Sequence, residues 1–131
     1  MTLLMLDTDV SSYIIKRRPD SLLSRFEKHA EELCVSVITA AELRFGAERV
    51  HRPKLTELVE AFLERLSILD WTNAVTHHYA RLRSALEQAG TPIGNMDLLI
   101  AAHAMSEGST LVTNNTKHFS HVPGLRLEEW K

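Results

Sequence analysis

The chain has 131 residues, 44% hydrophobic and 24% charged, with 15 Lys and Arg against 17 Asp and Glu for a net charge of −2. That balance fits a single globular domain over 1–131 and argues against a protein that coats nucleic acid by bulk attraction. One cysteine, Cys34, allows no internal disulfide and fits a reducing cytoplasm, and the apolar start from Met1 stops at Asp7, too short for a signal segment or a membrane span.

In chain order, Leu3 to Leu6 reads as a buried strand, followed by a short helix from Asp9 to Lys16 that stops at the Arg17-Arg18-Pro19 corner. Asp20 is placed to N-cap a helix reaching about Glu31. Leu33 to Val37 is a second strand, and Thr39 opens a helix to about Val50. After Pro53, Leu55, Leu58, Val59, Phe62 and Leu66 recur at helical spacing. Ile68 and Leu69 give a brief third strand, and a long helix from Thr72 to Ala89 ends at Gly90. Met96 to Glu107 is helical and ends at Gly108; Thr110 to Thr113 is a fourth strand and Leu125 to Leu127 a fifth. Short apolar strands alternating with helices predict an α/β fold with a mainly parallel sheet of four to five strands flanked by helices.

Ligands of open parallel sheets bind beyond the carboxyl ends of the strands. Strand one runs into Asp7-Thr8-Asp9, strand two leads to Thr39 and Glu42, and strand four runs into Thr113-Asn114-Asn115; Asp97 begins the helix before strand four. Carboxylates gathered on one edge repel one another unless a cation neutralises them, and an all-oxygen set suits Mg²⁺ or Mn²⁺ better than Zn²⁺. Most of these residues also have a structural reading. Thr39-x-x-Glu42 is the pattern of a capping box, Asp9 fits the N-cap of the first helix, and Asp97 suits the positive end of its helix. Asp7 has the least evident structural use.

The segments MLDTDVSSYI (Met5 to Ile14), ITAAELRFGA (Ile38 to Ala47), TPIGNMDLLIAAHA (Thr91 to Ala104), LVTNNTKHF (Leu111 to Phe119) and PGLRLEEW (Pro123 to Trp130) resemble, in order and over essentially the whole chain, the PIN-domain toxins of the VapC family. The resemblance implies a metal-dependent endoribonuclease, the toxin of a type II toxin–antitoxin pair, cutting a structured RNA and so inhibiting translation and growth. The resemblance favours initiator tRNA as the substrate. It places the family's first three acids on Asp7, Glu42 and Asp97, all three as ligands of Mg²⁺ or Mn²⁺. Thr8, Asp9 and Thr113 become accessory residues, since relatives often carry Asn where this chain has Asp9. At the fourth acidic position this chain has Asn115, whose amide orients water or accepts a hydrogen bond but adds no charge.

Lys16, Arg17, Arg18 and Arg44 are the basic residues nearest these segments and the weak candidates for RNA contact. The pairs His118-x-x-His121 and His77-His78 lack the further ligands of a zinc site, His103 reads as a satisfied core histidine, and Trp71 and Trp130 as burial anchors. Phe45, Val50, Leu55, Leu58, Val59, Phe62, Leu63 and Leu66 exceed what one helix face buries, and mark a surface for the partners the resemblance implies: a VapB-like antitoxin, which carries operator-DNA binding, and a second copy of the chain. Two alternatives stand beside this reading. One is a PIN-like module that grips RNA or protein without cutting; the other is a haloacid-dehalogenase-type phosphatase with Asp7 as nucleophile.

Overall fold

A computed structural model describes residues 3–130, so Met1, Thr2 and Lys131 of the expected 1–131 domain lie outside the described residues. Among the described residues, β1 (Leu4–Leu6), β2 (Leu33–Ser36), β3 (Ser67–Leu69), β4 (Thr110–Val112) and β5 (Leu127–Glu128) form one sheet in the order β3-β2-β1-β4-β5, with every pairing parallel. Met5 sits at its centre, in register with Cys34 on one side and Leu111 on the other. Side chains alternate across the strands, so each face has its own core. Leu4, Leu6, Leu33, Val35 and Val112 pack under α1 (Thr8–Arg17), α2 (Asp20–Lys28), α3 (Val37–Val50) and α4 (Pro53–Glu64). Met5, Cys34 and Leu111 pack under α5 (Asn73–Gln88), α6 (Asn95–Glu107) and α7 (Thr116–Phe119). Helices on both faces explain strands that are apolar throughout rather than alternating. None of the described helices is long and apolar enough to cross a membrane.

From β1 the chain builds outward through β2 and β3, then returns to lay β4 on the other side of β1. The order therefore reverses between β1 and β4, and their carboxyl ends flank the crevice where such sheets bind ligands. Asp7 follows β1 and Thr113 follows β4.

Several local expectations change. α1 starts at Thr8, with Asp7 rather than Asp9 as its N-cap. α3 starts at Val37, directly after β2, with Ser36 as its cap. Asp20 lies inside α2, whose N-cap Pro19 makes no side-chain cap bond, and α2 gives way to a 3₁₀ turn at Ala30–Glu32 before Leu33. The Arg17-Arg18-Pro19 corner forms as expected, with Arg18 left-handed at φ 47° and its N–H donating to the Ile14 carbonyl (3.1 Å). Gly90 closes α5 at φ 74°, a conformation that glycine adopts without steric cost.

The apolar surplus of α3 and α4 is smaller than expected. Val59, Phe62 and Leu63 are core residues, and Leu55, Leu58 and Leu66 pack against them, leaving Phe45 and Val50 exposed. Trp130 is buried with its indole Nε1 donating to Glu128 Oε2 (2.8 Å), and Trp71 donates to the Leu99 carbonyl (3.0 Å), so both act as anchors.

Candidate active site

Asp7 stands where strand becomes helix. Its N–H extends the β1–β4 ladder by donating to the Val112 carbonyl (3.0 Å), and its Oδ1 accepts from the Val10 N–H (2.8 Å), capping α1. Only 3% of the residue is exposed. Burial pushes its carboxyl up to about 6, against hydrogen bonds from the Thr113 hydroxyl and the Val10 N–H; the nearby charges of Asp9 and Asp97 add to the rise. Asp9 lies one residue into α1, exposed to solvent.

The expected capping box at Thr39-x-x-Glu42 does not form, because α3 begins two residues before Thr39 and Ser36 Oγ already accepts from the Ile38 N–H (3.1 Å). Glu42 instead turns toward α1, where its Oε1 accepts from Thr8 Oγ1 (2.8 Å), itself 3.1 Å from the buried Thr39 Oγ1. This ties the helix after β2 to the residue beside Asp7. Glu42, Thr8, Asp9, Ser12 and Lys16 line a cavity of about 150 Å³.

Asp97 lies in the first turn of α6 and is partly exposed. His118 of α7 donates from Nε2 to its Oδ2 at 3.1 Å. Burial raises the Asp97 pKa, the charge of Asp9 adds to it, and His118 works against both. Asn115 sets His118 in place through the backbone. Its N–H donates to Thr113 Oγ1 (3.0 Å) and its carbonyl accepts from the N–H groups of His118 (3.1 Å) and Phe119 (3.3 Å), starting α7. The exposed Asn115 side chain borders two open clefts, one with Asp9 and Tyr13, the other with Lys117, His118 and His121.

The charges of Asp9 and Asp97 reach Asp7, and that of Asp9 reaches Asp97, with Asn115 beside Asp9 in the same cleft. Among the described residues, no three carboxylate, His or Cys side chains are grouped closely enough to hold one metal ion. Glu42 faces α1, its carboxylate accepting from the Thr8 hydroxyl. The donors still suit a hard cation such as Mg²⁺, which keeps several waters and takes one or two carboxylates.

Of the basic candidates, Arg44 is committed to a two-pronged pair with Glu60 of α4 (2.9 Å for each bond). Lys16 and Arg17 line a cleft with Arg52 and Lys54, and Arg18 a separate groove with Glu27 and Arg65. His103 is only half satisfied: Nδ1 lies 2.8 Å from Ser36 Oγ, whereas Glu107 Oε1 is 3.8 Å from Nε2, which has no hydrogen-bond partner among the described residues. The residue missed in the sequence is His118, set aside there as half of a zinc pair. Its signal was its position three residues beyond Asn115, on the strand-four loop that faces Asp97.

The family model of the PIN domain matches residues 4–125, a span that contains Asp7, Asp9, Glu42 and Asp97. The chain belongs to the PIN-domain family. Within that family it is of the VapC type. Ribonuclease VapC2 of Haemophilus influenzae is 46% identical over 127 residues, 96% of each chain. The tRNA(fMet)-specific endonuclease VapC of Salmonella typhimurium is 39% identical over the same share of each chain. In three dimensions this PIN domain is similar to a chain of VapBC2 from Rickettsia felis bound to a DNA fragment from its promoter, with a TM-score of 0.95 and 41% identity, covering 99% of this chain and 100% of that one. The DNA-bound VapBC of Salmonella typhimurium gives 0.96 and 38%, with both chains fully covered.

Proposed function

We propose that this chain is a metal-dependent endoribonuclease, a single PIN domain acting in the cytoplasm as the toxin of a toxin–antitoxin pair. The observation that carries the reading is Asp7: a carboxylate buried at the switch point of a parallel sheet, with two further aspartates raising its pKa. Such a group is costly without a cation and useful with one. Asp7 and Asp97 would hold Mg²⁺, with Mn²⁺ as a substitute, and Glu42 would complete the donor set or act on the attacking water. A bound divalent cation supplies positive charge for the phosphoryl and leaving oxygens and lowers the pKa of water.

The chain's own groups do the rest. Thr113 holds Asp7 by donating to its carboxylate, and Thr8 holds Glu42 Oε1. Where Glu42 acts on the attacking water, it positions that water or takes its proton, and Asn115 orients water at the mouth of the site without adding charge. Relatives named as tRNA(fMet)-specific endonucleases, from Salmonella typhimurium and Shigella flexneri, favour initiator tRNA as the substrate and arrest of translation as the outcome. The DNA-bound VapBC complexes among its structural neighbours support a VapB-like antitoxin as partner in a hetero-oligomer on promoter DNA; in our reading the antitoxin makes the DNA contact and this chain is present as a homodimer.

The test is cleavage of total tRNA by purified protein. Cleavage is expected with Mg²⁺ or Mn²⁺, none with EDTA, and none with Asp7→Asn or Asp97→Asn variants that still fold. Cleavage that survives EDTA and both substitutions would overturn the assignment.

A further inference from the structure

We infer that Tyr13, Asn114 and Asn115 form a pocket for one unpaired nucleobase beside the acidic centre; the inference rests on the nuclease reading above. Tyr13 is 48% exposed, a large apolar ring left in solvent. It lies four residues after Asp9 on α1, so the two share a helix face. Both line an open cleft of about 370 Å³ whose other wall is Asn114 and Asn115, on the loop after β4. Among the described residues the Tyr13 ring pairs with no other aromatic side chain.

Each wall has a property that a base uses. An aromatic ring stacks on any base, because every base has a π-face. Asn114 Oδ1 accepts from the Trp130 N–H (3.0 Å), which fixes the amide and leaves its NH₂ as the donor for a ligand. Asn115 is exposed and brings a further amide. Asp9 selects between the parts of a nucleotide: its charge repels phosphate from this cleft and leaves the neutral base as the fitting group. A base held here would set the adjoining phosphate near Asp7 and Asp97, so the cleft is a positioning subsite for an RNA strand unpaired at that nucleotide.

Single-turnover cleavage of total RNA with Mg²⁺ tests this with Tyr13→Ala, Tyr13→Phe and Tyr13→Trp. Loss of one stacked base is worth about tenfold in binding. Tyr13→Ala is therefore expected to raise the half-saturating RNA concentration about tenfold, with the maximal rate within about twofold. Phe and Trp, which keep a ring, should match the parent. The slope of log affinity against log salt should stay that of the parent in all three, because no phosphate contact is removed. A Tyr13→Ala enzyme indistinguishable from an active parent would overturn the subsite alone, as would a Tyr13→Phe enzyme as impaired as Tyr13→Ala. A parent that cleaves no RNA would overturn the nuclease reading, and this inference with it.

Discussion

At residue 7 two demands meet on one carboxylate. The start of α1 gains a cap through the Val10 N–H, while the burial that makes the cap firm also disfavours the charge. The folded protein keeps a proton on Asp7 up to about pH 6, where the unfolded chain releases it near 3.8. The unfolded state thus binds fewer protons between those values, and stability contributed by this group is full below pH 3.8 and falls as pH rises to about 6. The loss amounts to about 3 kcal/mol at most. Asp7→Asn keeps an oxygen for Val10 and removes the charge. Chemical denaturation in EDTA should show the variant about 2–3 kcal/mol more stable than the parent at pH 7 and little different at pH 4. His118 belongs to the same scale. It holds one oxygen of Asp97, so His118→Ala should weaken Mn²⁺ binding about 10- to 100-fold by titration calorimetry, with His118→Gln, which retains an N–H donor, recovering most of it.

Among the elements, α1 and α3 show where the sequence was legible and where it was not. Their existence follows from apolar spacing, but α1 begins one residue and α3 two residues earlier than the pattern suggests. In the run Leu33 to Ile38 the polar Ser36 is flanked by apolar residues, which hides the boundary between strand and helix. Asp7 and Ser36 therefore took the caps assigned to Asp9 and Thr39. Acidic positions at strand ends were readable because they follow from topology; the bonds from Thr8 to Glu42 and His118 to Asp97 join elements far apart in sequence, so no local pattern announces them. Ser36 also meets His103 of α6, linking the helix that carries Glu42 to the helix that carries Asp97. Ser36→Ala removes the α3 cap and leaves His103 Nδ1 unpaired in the core, for a loss of about 2–3 kcal/mol by denaturant unfolding. Burial lowers the His103 pKa, opposed by Glu107 and Asp70. The unfolded chain then binds the extra proton, so this group's contribution to stability is lost as pH falls below 6.5, in the opposite sense to Asp7.

Across the whole molecule, the apolar residues of α3 and α4 divide between core and surface. Phe62 packs against Phe26 with ring centroids 5.6 Å apart, and Phe62→Ala should cost about 3–5 kcal/mol in unfolding. Phe45 is 64% exposed, with the Arg49 guanidinium 5.8 Å from its ring centre, so Phe45→Ala should change stability by less than about 0.5 kcal/mol. If Phe45 belongs to the surface for a second copy or an antitoxin, the same variant should lose association in sedimentation while keeping its melting temperature. Loss of both together would place Phe45 in the fold instead.

The strand made first occupies the middle of the sheet. β1 leaves the ribosome long before β4, its neighbour on one side, and the Asp7 N–H bonds to a carbonyl 105 residues later in the chain. Asp97, Thr113 and Asn115 likewise come from the last third of the sequence. A nascent chain therefore carries its first acid without the sheet edge that buries it, and a product truncated before residue 110 lacks the strand that completes the crevice. The crevice proposed above as a nuclease site is therefore assembled only once the chain has been made past Asn115.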